Sequence, residues 1–84
     1  MYYVYILYSE KKDLYYVGSS KNPHARLKYH NTGKKGWTKH GTPWKIVFQK
    51  EFQDKKLATQ KENFIKKQKS RKFIEKLISG KYVI

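Results

Sequence analysis

The sequence predicts an α+β fold: a small three-stranded antiparallel sheet flanked by helices, in the order β-β-α-β-α-α. Three observations carry this expectation. Residues 2–8, 14–19 and 44–52 are rich in aromatic and β-branched side chains with strand-like alternation. Asn22-Pro23, Asp54 and Ser70 are helix-start signals, because their side chains can accept from the open N–H groups of a first turn. Behind the last two, Leu57, Ala58, Phe64 and Ile65, then Phe73, Ile74, Leu77 and Ile78, repeat at helical spacing.

Taken in order, Tyr2 to Tyr8 alternates aromatic and aliphatic residues, as a strand covered on both faces does. Ser9-Glu10-Lys11-Lys12 is a polar connector, and Leu14 to Ser19 returns. A four-residue connector would set Tyr8 against Asp13 and Tyr5 directly opposite Tyr16. Opposed residues share a face, with Cβ atoms ~4.5–5.5 Å apart, so both phenols would point to one place. The first helix should run from Pro23 to about Asn31, with Gly33 as a left-handed stop. Arg26 and His30, four apart, then lie on one side of it, His30 at the boundary between exposed and buried sectors. His24 and His40 read as surface residues. The third strand, Trp44 to Phe52, sets Trp44, Ile46 and Phe48 on one face against Lys45, Val47 and Gln49. Helices of roughly Lys55 to Gln68 and from Ser70 to Gly80 complete the order.

Eighty-four residues make one expected domain, 1–84, with no room for a second core. No cysteine is present, which excludes zinc ribbons and thiol nucleophiles. Twenty Lys plus Arg against six Asp plus Glu give +14, a field that attracts a polyanion, and nucleic acid is the expected partner. Only Arg26 and Arg71 are arginines, so the planar fork of Arg26 stands out against point-charge lysines. Lys34 to Thr42 is a cationic, glycine-containing loop. Lys34, Lys35, Thr38 and Lys39 could follow a phosphate backbone while Trp37 stacks on a base or, alternatively, closes the core. Lys21 and Lys66 complete the expected contact set. No apolar run reaches the ~18 residues of a membrane span, and the N-terminus lacks a leader pattern, so a cytoplasmic protein without membrane contact is expected.

Six acids are too few and too scattered for a two-metal site. Glu62 alone lies mid-helix on the flank of an apolar stripe, and a single carboxylate suffices for magnesium, which keeps water and substrate phosphate as its other ligands. An i,i+4 surface pair of Glu62 with Lys66 is the plainer reading of the local sequence. Arg26 could engage two phosphate oxygens at once. A phenol is only ~0.1% ionised at neutral pH, so Tyr5 as a base needs a lowered pKa, which the positive field is expected to supply. His30 could take or relay the same proton.

These residues carry a resemblance. Tyr3-Val4-Tyr5 stands where the GIY-YIG nuclease family has Gly-Ile-Tyr, and Tyr16-Val17-Gly18 where it has Tyr-Ile-Gly. Arg26-Leu27 with His30 matches its helical Arg and His, and Ala58, Glu62 and Lys66 match its metal helix. The chain resembles the small, stand-alone branch of that family over nearly its whole length, with Tyr3 in place of the motif glycine and Gln68 where relatives often carry an apolar or aromatic residue. The resemblance implies metal-dependent endonuclease activity on nucleic acid, DNA rather than RNA, with Mg2+ or Mn2+ on Glu62. It implies Tyr5 as general base or water-positioning phenol supported by Tyr16, Arg26 on the transition state, and His30 in proton transfer. Target choice would fall to a protein partner or to substrate shape. A catalytically silent nucleic-acid-binding module on the same fold is the alternative, and a lysine-rich RNA-associated protein a third.

Overall fold

The computed structural model describes residues 1–32 and 40–84, so the expectations placed on Gly33, Lys34, Lys35, Trp37, Thr38 and Lys39 lie outside the described residues. The described residues form β1 (Tyr2–Ser9), β2 (Leu14–Ser20), α1 (Pro23–Thr32), β3 (Trp44–Phe52), α2 (Lys55–Gln68) and α3 (Arg71–Ile78). The sheet is antiparallel in the order β2-β1-β3, and the α+β order is the one expected.

The hairpin register differs from the expected one by two residues. Ser9 is the last strand residue rather than the first of the connector, and it pairs with Leu14. Its buried hydroxyl accepts the Lys12 backbone N–H at 3.1 Å, and Asp13 closes the loop in the left-handed region at φ 54°. Tyr5 is therefore opposite Gly18, and Tyr16 is opposite Leu7. A slip of two preserves faces, because side chains alternate with period two. The phenols still share a face, as diagonal rather than direct neighbours.

The strands bury two separate faces. Val4, Ile6 and Val17 pack with Phe52 against Ala58 and Ile65 of α2 and Leu77 of α3. Tyr5, Leu7 and Trp44 pack on the other face with Tyr16, Ile46 and Leu27 of α1. One strand serves both faces through a bulge that the alternation of β3 does not announce. Ile6 pairs with Phe48 but Leu7 with Ile46, so Val47 is an extra residue. Trp44 and Ile46 consequently face α1, while Phe48 and Phe52 face α2 and α3. The single better-buried face expected for β3 does not exist.

Caps hold the helices where the sequence put them. The Asp54 and Ser70 side chains accept from Leu57 N–H and Phe73 N–H. Asn22 does the same for Ala25 N–H at 3.1 Å. In α2, Ala58 and Ile65 are buried, whereas Leu57 and Phe64 sit at the margin of the stripe, 37% and 40% exposed. Arg71 ties α3 to the hairpin: its guanidinium donates to the Asp13 carboxylate at 2.5 Å and carbonyl at 2.8 Å and lies 5.0 Å over the Tyr15 ring.

At the end of α1, the Asn31 carboxamide donates to Trp44 C=O at 3.1 Å and accepts from Trp44 N–H at 2.6 Å. This paired contact fixes the helix against the start of β3. Replacing Asn31 with Ala is expected to destabilise the protein by about 1–3 kcal/mol, read as a lowered urea midpoint, since two part-buried backbone groups lose these bonds. An unchanged midpoint would mean that apolar packing alone positions α1.

Candidate active site

The Tyr5 side chain lies flat across Gly18, the residue opposite it in the ladder. A Cβ at Gly18 would stand 2.7 Å from the Tyr5 hydroxyl oxygen and 2.8 Å from the ring carbon that bears it. Only glycine leaves that space, so the last residue of Tyr16-Val17-Gly18 is a seat for the phenol of Tyr3-Val4-Tyr5. The Tyr16 ring is 6.4 Å from that of Tyr5, centroid to centroid, and the His30 ring meets Tyr16 edge-on at 4.7 Å. Trp44 supports Tyr16 from the side at 6.5 Å.

Arg26, one turn before His30 on α1, acts on the Tyr5 phenol by lowering its pKa and is stacked 4.8 Å over the Tyr29 ring. Helical spacing brings both α1 residues to the phenol face, as expected. His30, however, is not a boundary residue: at 4% exposure it is buried. Burial, and secondarily the Arg26 charge, push its pKa below the ordinary 6.5.

Glu62 approaches from elsewhere. Its helix packs on the opposite face of the sheet, and its carboxylate meets β2 at Ser19. Ser19 Oγ donates to Glu62 Oε1 at 2.6 Å, and Lys66 Nζ donates to Oε2 at 2.5 Å. The side chain is 16% exposed. The Lys66 pair weighed from the sequence is thus present, together with a contact that a surface pair lacks. Ser19 was missed by the sequence reading. The signal was available: Ser19 alternates with Gly18, so it faces α2, and it puts a hydroxyl on a strand face otherwise lined by Val4, Ile6 and Val17. Lys21 is exposed in the connector before α1, and His24 and His40 are exposed as expected.

The electrostatics correct the expectation for Tyr5. Its pKa is raised, not lowered, above the ordinary 10.0. Burial is the largest cause; Arg26 pulls the other way, and Tyr16 and Glu62 add to the rise. Among the described residues, no three His, Cys, Asp or Glu side chains cluster as metal ligands. Glu62 alone, a hard oxygen donor oriented by Ser19, suits a hard divalent ion that keeps most of its water.

The family model of the GIY-YIG catalytic domain matches residues 1–76. The chain belongs to the GIY-YIG nuclease family. No curated protein and no solved structure matches it significantly. None of the described helices is long and apolar enough to cross a membrane.

Two expectations follow from this geometry. Gly18→Ala should lower stability by about 1–3 kcal/mol in urea melts, as overpacking does, because the new methyl group meets an immobile ring. A variant as stable as the parent would show that Tyr5 is free to move. His30 supplies the second. With a folded pKa below 6.5, the unfolded chain takes up this proton first, so stability is full above 6.5 and falls as pH drops toward the folded value. His30→Asn should flatten the loss of unfolding free energy between roughly pH 7 and 5. An identical slope in the variant would assign the loss to other groups.

Proposed function

We propose that this single domain is a metal-dependent endonuclease that hydrolyses phosphodiester bonds in nucleic acid, with DNA as the expected substrate and Mg2+ or Mn2+ as cofactor. The observation that carries this is the linkage of Tyr5, Tyr16, Arg26, His30 and Glu62. The Tyr5, Tyr16 and His30 rings pack in series, the Arg26 charge lowers the pKa of both Tyr5 and His30, and Glu62 is held by Ser19, the residue after the Gly18 on which Tyr5 lies.

Glu62, held by Ser19, is the residue that would bind the ion. When bound, a divalent cation neutralises a phosphate oxygen and eases departure of the leaving oxygen. The rest falls to the chain. Arg26 offers a planar pair of donors to two phosphate oxygens and, through its charge beside Tyr5, favours the phenolate over the phenol. Tyr5 serves as base or water-positioning phenol, and Tyr16 holds its ring in place. His30 is kept neutral at pH 7 by burial, which leaves an imidazole nitrogen able to accept a proton.

The raised Tyr5 pKa is what a catalytically silent binding module on the same fold would also show, and that is the second reading. Cleavage of flapped, branched and single-stranded DNA with and without Mn2+ separates the two. Glu62→Ala should abolish cleavage while leaving binding nearly intact; cleavage at the parent rate would remove Glu62 as the metal ligand. Arg26→Lys should lower turnover by about 10²–10³-fold despite the retained charge, as loss of an oriented donor to a developing charge does. An unchanged rate would refute the two-oxygen role of Arg26.

A further inference from the structure

Each oxygen of the Glu62 carboxylate already has one partner within the chain. One oxygen accepts from Ser19, and the other accepts from the Lys66 ammonium at 2.5 Å. These two partners differ in kind. Ser19 is a neutral hydroxyl on a strand and fixes the direction of the carboxylate without competing for its charge. Lys66 is a cation on a flexible stem, half exposed, that stands where positive charge is wanted.

On its other side, Lys66 borders a cleft of about 620 Å³ along the free edge of β2. Tyr15, Val17 and Ile74 line the apolar part of this cleft, and Lys69 and Arg71 add positive charge; no carboxylate lines it among the described residues. The Lys66 side chain therefore stands between one carboxylate and a cleft whose apolar wall is rimmed by Lys69 and by Arg71, the latter already paired with Asp13. It can neutralise the first or serve the second, and a single ammonium cannot do both fully.

A divalent ion arriving at Glu62 in the free protein meets an occupied oxygen, an adjacent ammonium of like charge and a chain of net charge +14. All three oppose it. A phosphate backbone entering the cleft attracts Lys66 away from Glu62, lowers the local positive potential and exposes Oε2. We infer that Lys66 is a positioning residue that couples the two ligands: it holds the metal place in the free protein and yields it when nucleic acid binds. The inference rests on Glu62 as the metal-binding residue. Coupling of this kind is reciprocal, so bound metal would tighten nucleic-acid binding by the same factor.

The test measures Mn2+ binding, not cleavage, by the loss of the free-ion electron paramagnetic resonance signal on the full chain. Titrations are run with and without a phosphorothioate oligonucleotide that resists hydrolysis, corrected for Mn2+ bound by the oligonucleotide alone. For the parent, the oligonucleotide should raise Mn2+ affinity about tenfold, within the usual range of coupling. Lys66→Met should bind Mn2+ about fivefold to tenfold tighter without oligonucleotide, and its coupling should shrink to less than about threefold. Lys69→Met removes the same unit of charge from the same cleft and should leave the coupling near its parent value. Equal effects of the two variants would reduce the result to net charge and overturn the role of Lys66. So would a Lys66→Met protein with parent affinity and parent coupling. Glu62→Gln guards the premise: if it binds Mn2+ as the parent does, the metal assignment itself fails, whatever Lys66 does.

Discussion

The position of one aromatic ring on one glycine governs this molecule. Tyr5 can lie in the sheet face only because Gly18 opposite it has no side chain, and that fit allows no neighbouring register. A shift of one residue would place Val17 or Ser19 beneath the ring and turn the second phenol to the other face. The register then dictates the remainder. It sets Tyr16 beside Tyr5, brings His30 of α1 onto Tyr16, and points Ser19 across the sheet toward Glu62. A structural requirement and a chemical one thus coincide in Tyr16-Val17-Gly18: the first residue supplies a phenol and the last makes room for another.

The second organising feature is that the sheet is thin and narrow. With β1 in the centre, β2 has an open edge, and groups on opposite faces can approach one another around it. Four candidate residues gather on the α1 face, and the carboxylate comes from a helix on the other. An edge strand ordinarily invites pairing with another chain. Here its outer side is used, with Glu62 and Lys66 near one end and the Arg71–Asp13 contact closing the other. The bulge at Val47 serves the same arrangement, since it lets one strand contribute Trp44 to the phenol face and Phe48 and Phe52 to the helical core.

Local burial outweighs the net charge in setting the protonation of the site. A unit charge in water at 10 Å is worth only about 0.4 kcal/mol before salt screening, which is strong beyond that distance. Removal of an ionisable group from water can move its pKa by several units. Tyr5, 1% exposed, is accordingly held neutral within a chain of +14, whereas at His30, 4% exposed, burial and the Arg26 charge both favour the neutral ring. Among the described residues, Arg26 is the cation that lowers the Tyr5 pKa, and its closeness is what allows it to oppose the burial. The many lysines act instead on what approaches the surface.

Element types, order and most boundaries were legible in the sequence, because they depend on local properties: alternation, helical spacing and short-range caps. The span of α2 from Lys55 to Gln68 and its Asp54 cap follow directly from such signals. The family was legible too, because its pattern survives along residues 1–76 of the chain. What the sequence left open was decided by contacts between distant residues. The hairpin register depended on how the Ser9 hydroxyl and Asp13 close a loop, and the two faces of β3 on an extra residue no alternation reveals. Whether Glu62 is a surface pair or a held carboxylate depended on Ser19, forty-three positions away. The direction of the Tyr5 shift likewise came from packing, since charge can be counted along a chain but exclusion of water exists only once the chain has folded.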